Sequence, residues 1–237
     1  MVSRSFLLSL AAAVAAVASV HSAPFLTAPF DYLAVIPAPP EDSSPAGLAD
    51  LDTVLQVQAE RTDKEIALAK RVDGQSPFSF GRPVLGDWFR SANLPRTAEI
   101  MRSADSEATK VCDAAKSHFT RKRPYVRDLA VRPIVGKPGN TSYPSGHSFG
   151  ATVWGTILAE AFPEHAAEFE REIHKAMWGR VIAGAHYPTD TQAGMLLGKA
   201  VAKRMLENPE LKKELQEIRD ETAKYRKPEG APSTAEN

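Results

Sequence analysis

Three short stretches of the chain concentrate residue types that can hold an oxyanion and move a proton. The first is Ser142-Tyr143-Pro144-Ser145-Gly146-His147-Ser148. A helix beginning there would aim its unpaired N–H groups, and the positive end of its dipole, at whatever lies in front of it. Gly146 lets an anion approach the backbone, the Ser145 hydroxyl adds a donor, and His147 can give or take a proton. The second stretch runs from Lys116 to Arg123-Pro124 and gathers cations where a helical pattern ends. Lys116 falls near the face that carries Cys112, and Pro124 favours an extended backbone at Arg123. Arginine offers a planar fork to two phosphate oxygens, and lysine a compact charge. The third stretch, Gly179-Arg180 to His186-Tyr187-Pro188-Thr189-Asp190, sets His186 at a junction between two helical patterns. Asp190, one turn into the next helix, can accept from one ring nitrogen of His186 and leave the other bare and nucleophilic. Taken singly, each stretch also has a plainer reading: a capping turn, a helix end neutralised by basic residues, or a histidine–aspartate capping pair.

In combination the three resemble the signature of the type 2 phosphatidic acid phosphatase (PAP2) superfamily. The likeness is strongest to its soluble bacterial branch, the class A non-specific acid phosphatases. The shared pattern is lysine, six residues, Arg-Pro; then Pro-Ser-Gly-His; then Ser-Arg, five residues, His, three residues, Asp. Lys116, Arg123, Pro124, Pro144, Ser145, Gly146, His147, Arg180, His186 and Asp190 fall on it in order, over about a third of the chain. Gly179 stands where the pattern has serine, which removes a hydroxyl that could brace Arg180.

The resemblance implies an all-α fold, a single-domain helical bundle of the PAP2/vanadium haloperoxidase type. It also implies hydrolysis of small-molecule phosphate monoesters. His186 would attack phosphorus to form a phosphohistidine, with Asp190 orienting its ring. His147, protonated at the start, would deliver a proton to the leaving alcohol and then activate water. Lys116, Arg123, Ser145, Gly146 and Arg180 would hold the equatorial oxygens, where transition-state charge spreads. Inhibition by phosphate and vanadate, and phosphotransfer to other alcohols beside water, belong to the same expectation. No metal or other cofactor is implied, and the sequence has no His-Glu-x-x-His and no cysteine pair. Vanadium-dependent haloperoxidases carry a similar anion pocket, but the chain is shorter than expected for them.

The elements that must position these residues read as helices. Residues 46–72 carry apolar residues at mostly helical spacing, and a Pro- and Gly-containing stretch, 74–85, ends the pattern. Pro95 opens a second pattern to about Phe119, with Ile100, Met101, Ala104, Ala108, Val111, Cys112 and Ala115 in one stripe. Cys112 lies in that stripe and reads as a buried core thiol. Residues 121–143 read as loop, and helical patterns follow over about 146–162, 164–182 and 188–207. A last one, 209–225, is highly charged with a thin apolar stripe, as on a surface helix. The resulting division is 1–22 signal peptide, 23–45 a Pro/Ala-rich extended arm or linker, 46–208 the helical domain, 209–225 a surface helix and 226–237 a disordered tail.

Composition agrees with one medium globular domain: 237 residues, 43% hydrophobic and 24% charged. The formal net charge is zero, so no broad basic face for nucleic acid is expected. Arg4 followed by the apolar run Phe6 to Val20 and small residues at Ser19, Ser22 and Ala23 reads as an export signal. No second apolar stretch is long enough to cross a bilayer, so a periplasmic or secreted protein without stable membrane insertion is expected. Asn140-Thr141-Ser142 is formally a glycosylation acceptor, but a glycan there would crowd the candidate site. His118, His165 and His174 lie on charged stretches and read as solvated. Asp105 and Glu107 read as solvated-face residues or as shapers of a leaving-group pocket. Trp88, Trp154 and Trp178 suit either the core or an interface between copies in a homo-oligomer.

Overall fold

A computed structural model describes residues 24–226, so the expected signal at 1–22 and the tail after Arg226 lie outside the described residues. The described chain is helical throughout, with no strand: α1 Pro45–Glu60, α2 Asp63–Asp73, α3 Pro77–Leu85, α4 Pro95–His118, α5 Pro124–Arg127, α6 Gly146–Ala161, α7 Ala166–Ile182, α8 Pro188–Leu206 and α9 Pro209–Thr222. None of these helices is long and apolar enough to cross a membrane.

Helix starts follow local capping chemistry. Ser44, Thr62, Ser76, Ser145 and Asn208 each accept a backbone N–H at the head of a helix. Prolines open α1, α3, α4, α5, α8 and α9, where a missing N–H costs nothing. Two sequence expectations are corrected by this chemistry. Residues 46–72 are two helices, because Thr62 and Glu65 form a reciprocal capping box that restarts the chain after Arg61. The stretch 74–85 is not simply a break. Ser76 caps Pro77, and Gly81 sits so close to the Phe89 ring that a Cβ would lie 2.6 Å from it.

α6 is the centre of the molecule. Phe149, Val153, Trp154, Ile157, Leu158 and Ala161 are all buried, and α6 packs on α7 and α8 with α3, α4 and α9 around it. A helix apolar on all faces belongs in a core. Its approach to α8 depends on two glycines: a Cβ on Gly194 would sit 2.5 Å from the Ser145 carbonyl oxygen, and one on Gly198 2.8 Å from that of Phe149. Helix α9, expected on the surface with a thin stripe, exposes Lys212, Lys213, Gln216 and Asp220 and buries the stripe of Leu211, Leu215 and Ile218 completely or nearly so.

Residues 24–44 lie along the bundle. Phe25 and Ile36 are buried, and Glu107 on α4 accepts from the Phe25 and Leu26 N–H groups at 3.2 and 2.9 Å. The Tyr143 hydroxyl donates to the Pro37 carbonyl at 2.6 Å, tying this segment to the loop before α6. Trp88 stacks on Tyr225, Trp154 is buried, and Trp178 is partly exposed on α7.

Because the α6–α8 approach meets backbone atoms, it cannot be relieved by a rotamer change. Gly194→Ala should therefore destabilise the fold by about 1–3 kcal/mol, read by urea or thermal unfolding. An unaltered midpoint would show that the two helices are not in this close register.

Candidate active site

The three motif stretches meet in one cleft of about 320 Å³, at the start of α6 and between the ends of α4 and α7. Lys116, Arg123, Gly146, His147, Arg180 and His186 line it. Ser145 and Asp190 stand immediately behind and are fully buried. A backbone hydrogen bond from Ser145 N–H to the Asp190 carbonyl, 2.9 Å, locks the first helix turns of α6 and α8 together.

Each cation has a fixed geometry. Lys116, in the last turn of α4, donates to the Thr141 carbonyl at 3.0 Å. Burial first, and Arg123 next to it, push its pKa down to about 8, so it remains charged at neutral and acidic pH. Arg123 sits at the start of the one-turn α5, within a stretch expected to be loop throughout. Its Nε and Nη2 donate to the backbone and side-chain oxygens of Asn140 at 2.9 and 2.6 Å, and Nη1 donates to the Ala185 carbonyl at 2.9 Å. The Asn140 side chain of the formal glycosylation triplet is thus engaged in holding Arg123. Arg180 is fully buried; Nη1 pairs with Asp73 at 2.6 Å. Its Nε and Nη2 are buried with no partner among the described residues. Buried donors are normally satisfied, so a fork left half unpaired at a cleft is a standing demand for an acceptor.

The two histidines differ in their hydrogen bonds. His147 Nε2 lies 3.1 Å from the Asp73 carbonyl, which can only accept, so Nε2 carries the proton and Nδ1 is left to exchange one. His186 Nε2 lies 3.1 Å from Arg123 Nη1, which can only donate, so Nε2 is the bare nitrogen. Its Nδ1 faces Asp190 Oδ2 at 3.4 Å and the Ser142 hydroxyl at 3.5 Å. Asp190 is itself held by the Ser142 hydroxyl at 2.5 Å, the Tyr187 N–H at 2.9 Å and Arg121 at 2.7 Å.

Burial is the main cause that lowers both imidazole pKa values. For His147, Arg180 adds to it and the value falls to about 4; for His186, Arg123, Lys116 and Arg180 press in the same direction. The sequence expectation of a protonated His147 therefore needs amending: in this cationic cleft the imidazole is neutral until something anionic offsets the charges. Cys112 lies on the cleft floor, with burial pushing its thiol up to about 12, so it is no thiolate nucleophile. Ser145 acts as N-cap, accepting from the Ser148 hydroxyl at 3.0 Å, and its own O–H remains available as a donor.

Sequence reasoning passed over the supports. Arg121 reads as one more cation of the cluster, but it points away from the cleft. It bridges Asp50 and Asp190 at 2.7 Å each and lies 4.1 Å over the Tyr187 ring. Asp50, on α1, also accepts from the Thr189 N–H at 3.2 Å and from its hydroxyl. Asp73 is likewise invisible without the fold. The replacement of serine by Gly179 acquires a reason here: a Cβ at 179 would lie 2.9 Å from Val72 Cγ2, so Val72 fills the space a side chain would need. The next residue, Asp73, supplies the brace for Arg180. His165 and His174 are partly exposed in weak i,i+3 and i,i+4 pairs, and His118 lies against Tyr32. Among the described residues no three His, Cys, Asp or Glu side chains group as a metal site would.

Residues 106–212 match the family model described as PAP2 superfamily, an interval that contains every residue placed in the cleft by the three stretches. The chain is 29% identical over 194 residues to the non-specific acid phosphatase of Salmonella typhimurium, covering 78% of each chain. Among solved structures, a bacterial vanadium-dependent iodoperoxidase superposes with a TM-score of 0.58 at 20% identity, over 72% of this chain and 52% of that one. The transmembrane PAP2-type phosphatidylglycerolphosphate phosphatase of Bacillus subtilis superposes with a TM-score of 0.53 at 19% identity, over 70% and 87%. These two likenesses concern the fold, the all-α PAP2/haloperoxidase bundle.

The histidine ionisations give a stability test. Unfolded histidine titrates near 6.5. Below that pH the unfolded chain takes up protons that the folded site refuses until about pH 4, so stability falls as pH drops through this window. Thermal midpoints measured between those limits, in buffers without phosphate, should fall less steeply for His147→Gln than for the wild type. Parallel curves would show that His147 is not held neutral.

Proposed function

We propose, from the premise that residues 106–212 form a PAP2-superfamily domain, that this chain hydrolyses phosphate monoesters through a phosphohistidine at His186. The observation that carries the proposal is the cleft itself. The half-unpaired Arg180 fork, Lys116 and Arg123 converge on a helix N-terminus, with a bare imidazole nitrogen on one side and a proton-exchanging imidazole beside it. The kinship with the Salmonella typhimurium non-specific acid phosphatase supports the same reading.

In this mechanism Nε2 of His186 attacks phosphorus in line while the P–O bond to the alcohol breaks. Arg123, now 3.1 Å from that nitrogen, turns its donors to the phosphoryl oxygens. Asp190 keeps the Nδ1 proton in place and offsets the charge that forms on the ring. Lys116, Arg180, the Ser145 hydroxyl and the Gly146 N–H hold the remaining oxygens. His147 passes a proton from Nδ1 to the leaving oxygen, then takes one from the attacking water as phosphate is released from His186. An alcohol in the place of that water gives phosphotransfer. Inorganic phosphate and vanadate, which fit the same donors, act as inhibitors. The leader-like residues 1–22 support action outside the cytoplasm, in the periplasm or medium, where such esters are met free in solution.

The test uses p-nitrophenyl phosphate with the mature protein in the presence of EDTA. Wild type should turn over, and His186→Ala should not. Rapid quenching of wild type during turnover should leave phosphate on the peptide containing His186. Label on any other peptide would sink the assignment. His147→Ala should cost about 100- to 10,000-fold with an alkyl phosphate. The cost should be smaller with p-nitrophenyl phosphate, whose leaving group needs no proton.

A second expectation concerns pH. The productive complex holds a neutral His186 and one proton shared between His147 and the substrate phosphate. Free His147 titrates at about 4, and a monoester loses its second proton near 6. A plot of kcat/KM against pH should thus be a bell with limbs near those values. A plateau extending above neutrality would exclude this sharing of the proton.

A further inference from the structure

The cleft continues well beyond the cations. One face of α4 follows it from Lys116 back through Cys112 and Thr109 to Asp105, a spacing of four, three and four residues. One face of α6 follows it from His147 through Gly150 to Trp154. The two faces meet where the Trp154 indole N–H donates to Asp105 Oδ1 at 2.7 Å. Gly150 permits this meeting: a Cβ there would lie 3.1 Å from the indole ring, which folds back along α6 toward His147. At a rise of about 1.5 Å per residue, the bridge stands roughly 16 Å along α4 from Lys116 and about 10 Å along α6 from His147. That is room for an alcohol of sugar size beyond the phosphoryl group.

The chemistry of this outer wall is the opposite of the inner end. Asp105 brings a half-buried carboxylate to it, Asp113 adds an exposed one at the rim one turn from Lys116, and among the described residues no cation lines it apart from the inner cluster. The indole occupies Asp105 Oδ1 and leaves Oδ2 to accept from a hydroxyl. Gln75, two residues after the Asp73 that holds Arg180 and His147, also lines this wall. Both its amide oxygen and its amide nitrogen are buried with no partner among the described residues. An amide shielded from water with neither donor nor acceptor used is destabilising unless a ligand completes it.

We infer that Gln75, Asp105 and Trp154 form a leaving-group subsite for uncharged, hydroxyl-bearing alcohols, and that Asp105 and Asp113 disfavour leaving groups with a second negative charge. A substrate hydroxyl donates to Asp105, another exchanges hydrogen bonds with the Gln75 amide, and the indole presents an apolar surface to the carbon frame. Asp105, half-buried on the cleft wall, repels an anionic group that the same space would otherwise admit, and Asp113 at the exposed rim adds a weaker repulsion of the same sign. This inference rests on the phosphatase reading and adds to it which esters the site prefers.

The experiment compares glucose 6-phosphate, 3-phosphoglycerate and phenyl phosphate on wild type, Asp105→Asn and Gln75→Ala. Wild type should prefer glucose 6-phosphate over the carboxylate-bearing 3-phosphoglycerate by about 10-fold or more in kcat/KM, and Asp105→Asn should shrink that preference. The ratio of kcat/KM for glucose 6-phosphate to that for phenyl phosphate should fall about 10-fold in Gln75→Ala, the size of a lost hydrogen bond. A wild type that handles the neutral and anionic leaving groups alike overturns the subsite without recourse to any variant. So do ratios that stay constant across the variants while phenyl phosphate is turned over. A well-folded wild type that hydrolyses none of the three esters would instead overturn the phosphatase reading.

Discussion

Three buried cations in one small cleft repel one another, and much of the surrounding structure exists to hold them there. Lys116, Arg123 and Arg180 are 8%, 4% and 0% exposed, and among the described residues the only carboxylate directly paired with any of them is Asp73. Charges out of water and close to like charges would ordinarily be driven apart or neutralised. Here carbonyl oxygens do the restraining: Thr141 for Lys116, Asn140 and Ala185 for Arg123, and the Asn140 side chain as well. Neutral acceptors fix position without cancelling charge. The result is a site in which Lys116 and Arg123 keep their charge uncancelled by a direct carboxylate partner and the donors are already aimed, which is the arrangement an anion with several oxygens requires.

Burial governs the histidines, and the neighbouring cations press the same way. A buried imidazole beside like charges keeps its proton off, so His147 and His186 are both neutral in the free site. For His186 this is the state that the proposed attack by Nε2 requires. For His147, in the proposed mechanism, the proton arrives with the substrate, or is taken up once a phosphate dianion has answered the cations. An acidic working range then follows from the electrostatics of the cleft and from the ester's own ionisation, with no need for an unusually basic general acid.

How much of this could be read in the sequence depends on distance along the chain. Lys116, Arg123, Gly146, His147, Arg180 and His186 announce themselves by type and close spacing, and the structure brings all six to one cleft. The helical patterns were legible for the same reason, since burial of one face leaves a 3.6-residue period. What escaped were interactions across long separations. Asp50 and Asp73 lie on helices with no chemical signature of their own, and only packing reveals that one anchors Arg121 and the other Arg180. Helix α3 escaped because its glycine and prolines have packing and capping duties that are indistinguishable, in a string of letters, from those of a loop. Arg121 could not be placed for a related reason: Lys116, Arg121, Lys122 and Arg123 have like charge, and the sequence does not say toward which partners each of them turns.

Gly179 shows why a departure from a pattern has to be weighed against its neighbours. In isolation a missing hydroxyl beside Arg180 suggests a weakened site. In the folded chain the C-terminus of α2 has taken over the position. Val72 occupies the volume and Asp73 contributes a full negative charge at 2.6 Å, a stronger partner than a neutral hydroxyl. The same residue's carbonyl sets the tautomer of His147. One turn of helix thereby couples the arginine proposed to hold the phosphoryl oxygens to the histidine proposed to move the proton. Restoring serine at 179 while Val72 remains would crowd that turn rather than repair it, because the two side chains compete for one space.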